Sequence, residues 1–172
     1  MALIIFIKGG SVVEIQLKQM TKKHLDDVVN LYIYSNPFTT KKAIRSWTKV
    51  GLEKFPDLNY VLLQGDEIVG AVSAIVKGRS IIINDIAIAE KHRNKGYGAK
   101  LIRHLLNIIN EKYKNKKIKL WIHWENLSAM IFYIRFGFRV LKAEVFFDKK
   151  ICKKREYIIW MVKEAQDIFS ME

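Results

Sequence analysis

Ser80-Ile81-Ile82-Ile83-Asn84-Asp85-Ile86-Ala87-Ile88-Ala89, followed after Glu90-Lys91-His92 by Arg93-Asn94-Lys95-Gly96-Tyr97-Gly98-Ala99, is the stretch from which the architecture can be read. Its first ten residues are apolar enough to form a buried strand. Residues 98–114 then place Ile102, Leu105, Leu106, Ile109 and Tyr113 on one helical face. A second strand follows at 117–124. Strand, helix and strand in this order form a right-handed crossover unit, so the two strands should lie parallel.

Working outward, residues 12–18 alternate, with Val13, Ile15 and Leu17 against Glu14, Gln16 and Lys18, which predicts a half-buried strand. Thr21 is expected to cap a helix carrying Leu25, Val28, Val29 and Tyr32, which must stop before Pro37. A second helix should start near Thr39 and Thr40 and turn Ile44, Trp47 and Val50 inward. Residues 59–64 and 68–76 read as a hairpin closed by Gly65-Asp66-Glu67, and Lys77-Gly78-Arg79 returns the chain into 80–89. Beyond 124, Asn126 caps a short helix ended by Gly137 as a left-handed cap, and 138–148 and 155–162 are two antiparallel strands. The order β-α-α-β-β-β-α-β-α-β-β predicts an α/β fold with a mixed, mostly antiparallel twisted sheet and helices on both faces.

The 172 residues suit one domain, and 50% hydrophobic with 27% charged residues is a globular composition. The single cysteine, Cys152, excludes an internal disulfide and fits a reducing, cytoplasmic setting. It lies among Lys149, Lys150, Lys153 and Lys154 with no base to make it a nucleophile. Residues 1–7 are apolar but too short to span a bilayer, and Lys8-Gly9-Gly10 follows them directly, with no basic region before them. We therefore expect an N-terminal extension or extra strand at 1–10, a single domain at 11–164 and a tail at 165–172. The formal net charge is +13, with twelve Lys/Arg between Lys77 and Lys119 against Asp85, Glu90 and Glu111. Such an excess points to anionic ligands, although many of these lysines simply solvate outer faces.

The loop at 93–99 carries the sharpest chemistry. Two glycines one residue apart let the backbone approach a bulky anion, and amides at the start of the following helix point at it. Arg93 and Lys95 add full positive charge at the rim. A Rossmann fingerprint would need a third glycine at position 101, which is Leu101. A Walker loop would need Gly-Lys-Ser/Thr, and the chain contains none.

Here the sequence resembles the GNAT superfamily of acetyltransferases. Arg93-Asn94-Lys95-Gly96-Tyr97-Gly98 matches the family's Arg/Gln-x-x-Gly-x-Gly/Ala, and Asn126, Ala129, Tyr133 and Gly137-Phe138 match a second block in order and spacing. The resemblance implies acetyl-CoA as co-substrate and transfer of its acetyl group to an amine by direct attack in a ternary complex. It also implies that the strands at 80–89 and 117–124 splay to admit the pantetheine arm. Ile86, Ala87 and Ile88 match the segment that binds this arm as an extra strand would, the amide of Ile86 meeting the developing oxyanion. The backbone of Asn94, Lys95, Gly96, Tyr97, Gly98 and Ala99, with Arg93, matches the pyrophosphate cradle. Asn126 matches a position near the pantetheine, and Tyr133 matches the tyrosine that protonates the departing thiolate.

The chain departs from the family where a general base is usual. Ile82 and Trp121 occupy those positions, and Phe146-Phe147 replaces the Tyr-Tyr pair that resembles the substrate grip of protein N-terminal acetyltransferases. His123 shares the strand face of Trp121, which makes it the candidate base or the holder of the water that serves as one; Asp85 and Glu125 are the alternatives. The fifth-strand and C-terminal blocks are nearest to the N-terminal and ribosomal-protein alanine acetyltransferases, which favours a peptide or protein amine over a small-molecule amine. Two rival readings are a basic nucleic-acid-binding module and a non-catalytic acyl-CoA-binding regulator. The first lacks any helix-turn-helix, zinc or RNA-binding signature, and Tyr133 argues against the second.

Overall fold

The structure, a computed structural model, describes residues 2–5, 13–152 and 154–165. Among the described residues eight strands form one sheet in the order β1-β2-β3-β4-β5-β6-β8-β7. They are β1 (Ala2–Ile5), β2 (Val13–Gln19), β3 (Asn59–Gln64), β4 (Glu67–Lys77), β5 (Ser80–Ile88), β6 (Lys117–His123), β7 (Arg139–Phe146) and β8 (Glu156–Glu164). Among these strands only β5 and β6 pair in parallel, and every other pair is antiparallel. Of the segment expected to be an N-terminal extension or extra strand, 1 and 6–10 lie outside the described residues, as do 166–172 of the expected tail.

The α-helices of the described residues that cover the sheet are α1 (Leu25–Ser35), α2 (Lys41–Lys54), α3 (Tyr97–Lys112) and α4 (Leu127–Ile134). α3 follows from its stripe: Leu101, Ile102, Leu105 and Ile109 have no exposed surface. Each such burial contributes about 1.5–3 kcal/mol. They join Ile81, Ile83, Ile118 and Leu120 in one core, and a second core beneath α1 and α2 gathers Val28, Val29, Tyr32, Ile44, Val61 and Ala87.

Two local expectations are corrected. Thr21 precedes a 3-10 turn, Lys22–His24, so α1 begins only at Leu25. On α2 the buried residues are Ala43, Ile44, Thr48 and Gly51, Trp47 is partly buried, and Val50 stays outside both cores. The inward face follows the i, i+4, i+7 row of Ile44, which position 50 misses. At the end of α4, Gly137 takes φ +80°, as its place after the helix requires.

Candidate functional site

The site begins with an irregularity in β5. Its pairing with β4 shifts register, so Ser73 faces Asp85 while Ala74 faces Ile83, and Asn84 is the extra residue of a β-bulge. One inserted residue exchanges the faces of the strand. Ile81 and Ile83 therefore enter the core under α3, whereas Ala87 enters the core under α1 and α2. The bulge also fixes where the amides point. The amide of Ala89 donates to the Val69 carbonyl on β4 at 2.9 Å. By alternation the amides of Ile86 and Ile88 face the other edge. On that edge the pairing with β6 covers only Ser80–Ile82 against 117–119, although β5 runs on to Ile88 and β6 to His123. The two strands therefore part, leaving two outward-facing amides along a wedge.

That wedge opens into a cleft of about 880 Å³, and of the candidate residues only Lys95 is not among its walls. Lys95 is exposed, in a loop whose neighbours Asn94 and Gly96 take φ +61° and +76°. A Cβ built on Gly96 would meet nothing within 4 Å, so the left-handed backbone, not crowding, demands glycine there. A Cβ on Gly98 would sit 3.6 Å from Phe132, ordinary contact that leaves little room for anything longer. No side chain caps the N-terminus of α3, so its first amides remain donors aimed outward. Asn126 caps α4 by accepting from the Ala129 amide at 3.1 Å, which ties one wall of the cleft to the end of β6.

At the other end of the wedge stands Tyr133, 5% exposed, with edge contacts to Phe132 and Phe138. Burial pushes its phenol well above the ordinary range, and the Asp85 charge adds to the rise. Across from α4, His123 Nε2 donates to Glu156 Oε2 at 3.0 Å, and its ring lies flat on Phe38 at 4.0 Å. Its Nδ1 accepts from the Glu125 amide at 3.4 Å. Glu156 is 4% exposed, so the imidazole is held by a buried carboxylate on one side and an aromatic plane on the other.

Asp85 is the remaining titratable wall. It accepts from Trp47 Nε1 at 2.6 Å, which ties α2 to β5. Burial pushes its carboxyl up to about 7, against the opposing pull of hydrogen bonds from Trp47 and Asn36. The signal for it was in the sequence: it is the only charged residue within 80–89. Glu156 and Phe38 carried no such signal, because the β6–β8 register and the turn after α1 bring them to His123 from distant parts of the chain.

Acetyl-CoA combines a diphosphate with a long amide-bearing arm that ends in a thioester. The donor set suits it. Outward amides of α3 lie at one end and those of Ile86 and Ile88 at the other, and the buried Asn84 Nδ2 has no partner among the described residues.

A mixed sheet parted at its one parallel pair, with an uncapped helix at the mouth of the gap, is the architecture of an acyl-CoA-dependent transferase. The chain belongs to the GNAT acetyltransferases, whose domain model matches residues 56–140, and it is an acetyl-CoA-dependent N-acetyltransferase. Among its relatives is the spermine/spermidine N(1)-acetyltransferase of Bacillus subtilis, 26% identical over 137 residues, covering 73% of this chain and 88% of that protein. N-alpha-acetyltransferase 50 of Danio rerio is 27% identical over 149 residues, covering 84% and 82%. The fold is shared with Arabidopsis thaliana Naa50, solved with the bisubstrate analogue CoA-Ac-MVNAL, at TM-score 0.66 and 19% identity over 85% of this chain and 97% of that one. Among the described residues no helix is long and apolar enough to cross a membrane.

Proposed function

We propose that the chain acetylates the amine of a peptide or protein rather than a polyamine. The observation that carries this is the character of the cleft beyond Ile86: it is walled by Tyr32, Phe38 and Trp121, and its acidic side chains are Asp85 and Glu125. A polyamine needs carboxylates spaced along its length, and Asp85 is largely neutral below about pH 7. In this reading the Ile86 amide meets charge developing on the acetyl oxygen. His123, oriented by Glu156, accepts the proton of the incoming amine or holds the water that does, and Tyr133 donates to the leaving sulfur. An acceptor screen with labelled acetyl-CoA across peptides, spermidine and amino sugars tests it. Peptides should give the highest kcat/KM, and spermidine as the best acceptor would overturn the reading.

Two substitutions test the assigned roles. Gly96→Glu forces a side chain onto a backbone at φ +76° and places a carboxylate where the cradle should receive an anion. Acetyl-CoA should bind at least tenfold more weakly, about 1.4 kcal/mol. Equal affinity by calorimetry in a folded variant would remove the cradle from this loop. His123→Ala should lower kcat/KM for the amine by roughly 10²-fold, the low end for a proton-transfer group. The KM for acetyl-CoA should hold, and Glu156→Gln should show part of the same loss because it keeps an acceptor for Nε2 but removes the negative charge that supports a protonated imidazole. If Glu156→Gln leaves kcat/KM untouched, the carboxylate's charge does not assist the imidazole.

A further inference from the structure

Two segments meet above His123. One is the turn between α1 and α2, which supplies Phe38; the other is the loop between β7 and β8, which ends at Glu156. They are stitched together. The Thr40 amide donates to the Ile151 carbonyl at 2.7 Å, Thr40 Oγ1 donates to the Lys150 carbonyl at 2.9 Å, and Thr39 and Cys152 form an antiparallel bridge. This seam carries a concentration of positive charge: Lys41 and Lys42 from the start of α2, and Lys149, Lys150, Lys154 and Arg155 from the loop. All six are exposed, and none forms an ion pair with a carboxylate among the described residues. The nearest acid in the loop, Asp148, is already engaged by the Lys150 amide at 2.8 Å.

Solvation alone does not account for this placement. Helix N-termini favour acidic side chains, because the backbone dipole is positive there. The first turn of α2 holds no acid and begins with two lysines, so the charges on the seam oppose local helix stability and one another. The seam is also close to the chemistry. Lys41 is three residues from Phe38, a span of at most about 11 Å, and Arg155 directly precedes the carboxylate that holds His123.

We propose that this basic seam is a specificity surface for the acceptor, selecting peptides with acidic side chains in the residues just after the acetylated amine. An extended peptide advances about 3.4 Å per residue, so its second to fourth residues lie roughly 3–10 Å beyond the first. That is the reach of long lysine and arginine side chains on the seam. The same charges repel a polyamine, whose further ammonium groups would occupy those positions. The proposal rests on the reading of a peptide acceptor given above.

The test uses the full chain, acetyl-CoA and a set of peptides sharing one N-terminal residue, with Glu, Ser or Lys at positions two to four, and spermidine beside them. The Glu peptide should exceed the Lys peptide at least tenfold in kcat/KM at low salt, and the ratio should shrink as ionic strength rises. Replacing Lys149, Lys150, Lys154 and Arg155 together by Glu should invert the preference, with acetyl-CoA affinity by calorimetry as the control for folding. A second variant, Lys41→Ser with Lys42→Ser, should reduce the preference without inverting it. Peptides acetylated equally whatever their charge, or a preference unchanged in a folded variant, would overturn this inference and leave the peptide reading intact. Acetylation of spermidine but of no peptide would overturn both. Activity on the peptides lost only when RNA is added would assign the seam to nucleic acid instead.

Discussion

Tyr133→Phe is expected to lower kcat about a hundredfold while leaving the KM for acetyl-CoA nearly unchanged. The substitution removes one oxygen and keeps the ring, so the contacts with Phe132 and Phe138 persist. No protein group among the described residues hydrogen-bonds the Tyr133 hydroxyl, so the variant leaves no partner orphaned and the fold should hold. The magnitude follows from the chemistry. Burial raises the phenol, so it reaches the reaction as O–H throughout the working pH range. Complete transfer of its proton to a thiolate of ordinary basicity, near ~8.5, is uphill. In the proposed role its contribution is therefore the hydrogen bond given to charge gathering on sulfur, and a bond to a charged group is worth about 1.5–3 kcal/mol. A factor of a hundred is about 2.7 kcal/mol, within that span. A loss confined to kcat marks an interaction made only in the transition state. Unchanged kcat, with chemistry shown to be rate-limiting, would return Tyr133 to the core.

Much of this architecture was legible in the chain because it rests on local signals. The apolar run at 80–89, the glycine pair and the stripe on α3 each carry their own reading, and the parallel pairing of β5 with β6 follows from the crossover between them. The cleft walls named from the two motif blocks fell together for the same reason, with Lys95 the exception. What escaped was set by long-range pairing. The β-bulge at Asn84 decides that Ile83 and Ala87 lie on opposite faces of the sheet, yet nothing in Ile83-Asn84-Asp85-Ile86-Ala87 announces an inserted residue. The partners of His123 come from residue 38 and residue 156, brought in by a turn and by the antiparallel register of β6 with β8. Sequence spacing placed His123 on the face of Trp121 but could not supply the carboxylate that orients it.

Asp85→Asn should stabilise the protein above neutral pH and do little near pH 4. Asp85 is 8% exposed, and burial raises its carboxyl from 3.8 to about 7 in the folded chain. The sign follows from proton binding. Between about pH 4 and pH 7 the folded state holds a proton that the unfolded chain has released, so stability falls as pH rises through that window and then levels off. The total is about 4 kcal/mol, because each pH step of one across the window removes about 1.36 kcal/mol. That is a large share of the ~5–15 kcal/mol that holds a domain together. Asparagine keeps an oxygen to accept from Trp47 Nε1 and carries no charge to desolvate, so the variant should lack this slope. Urea unfolding of both proteins at pH 5 and pH 8 isolates the effect, because every other titrating group is common to the pair. The gain at pH 8 should exceed the gain at pH 5 by a few kcal/mol, and a difference independent of pH would show that Asp85 is already ionised in the folded chain. A buried acid on a cleft wall that lowers stability at neutral pH is the kind of group that accumulates at working sites rather than in inert cores. The same variant assayed for acetyl transfer would therefore show whether this carboxyl serves the reaction: a stable protein with reduced kcat/KM for the amine would place it beside His123.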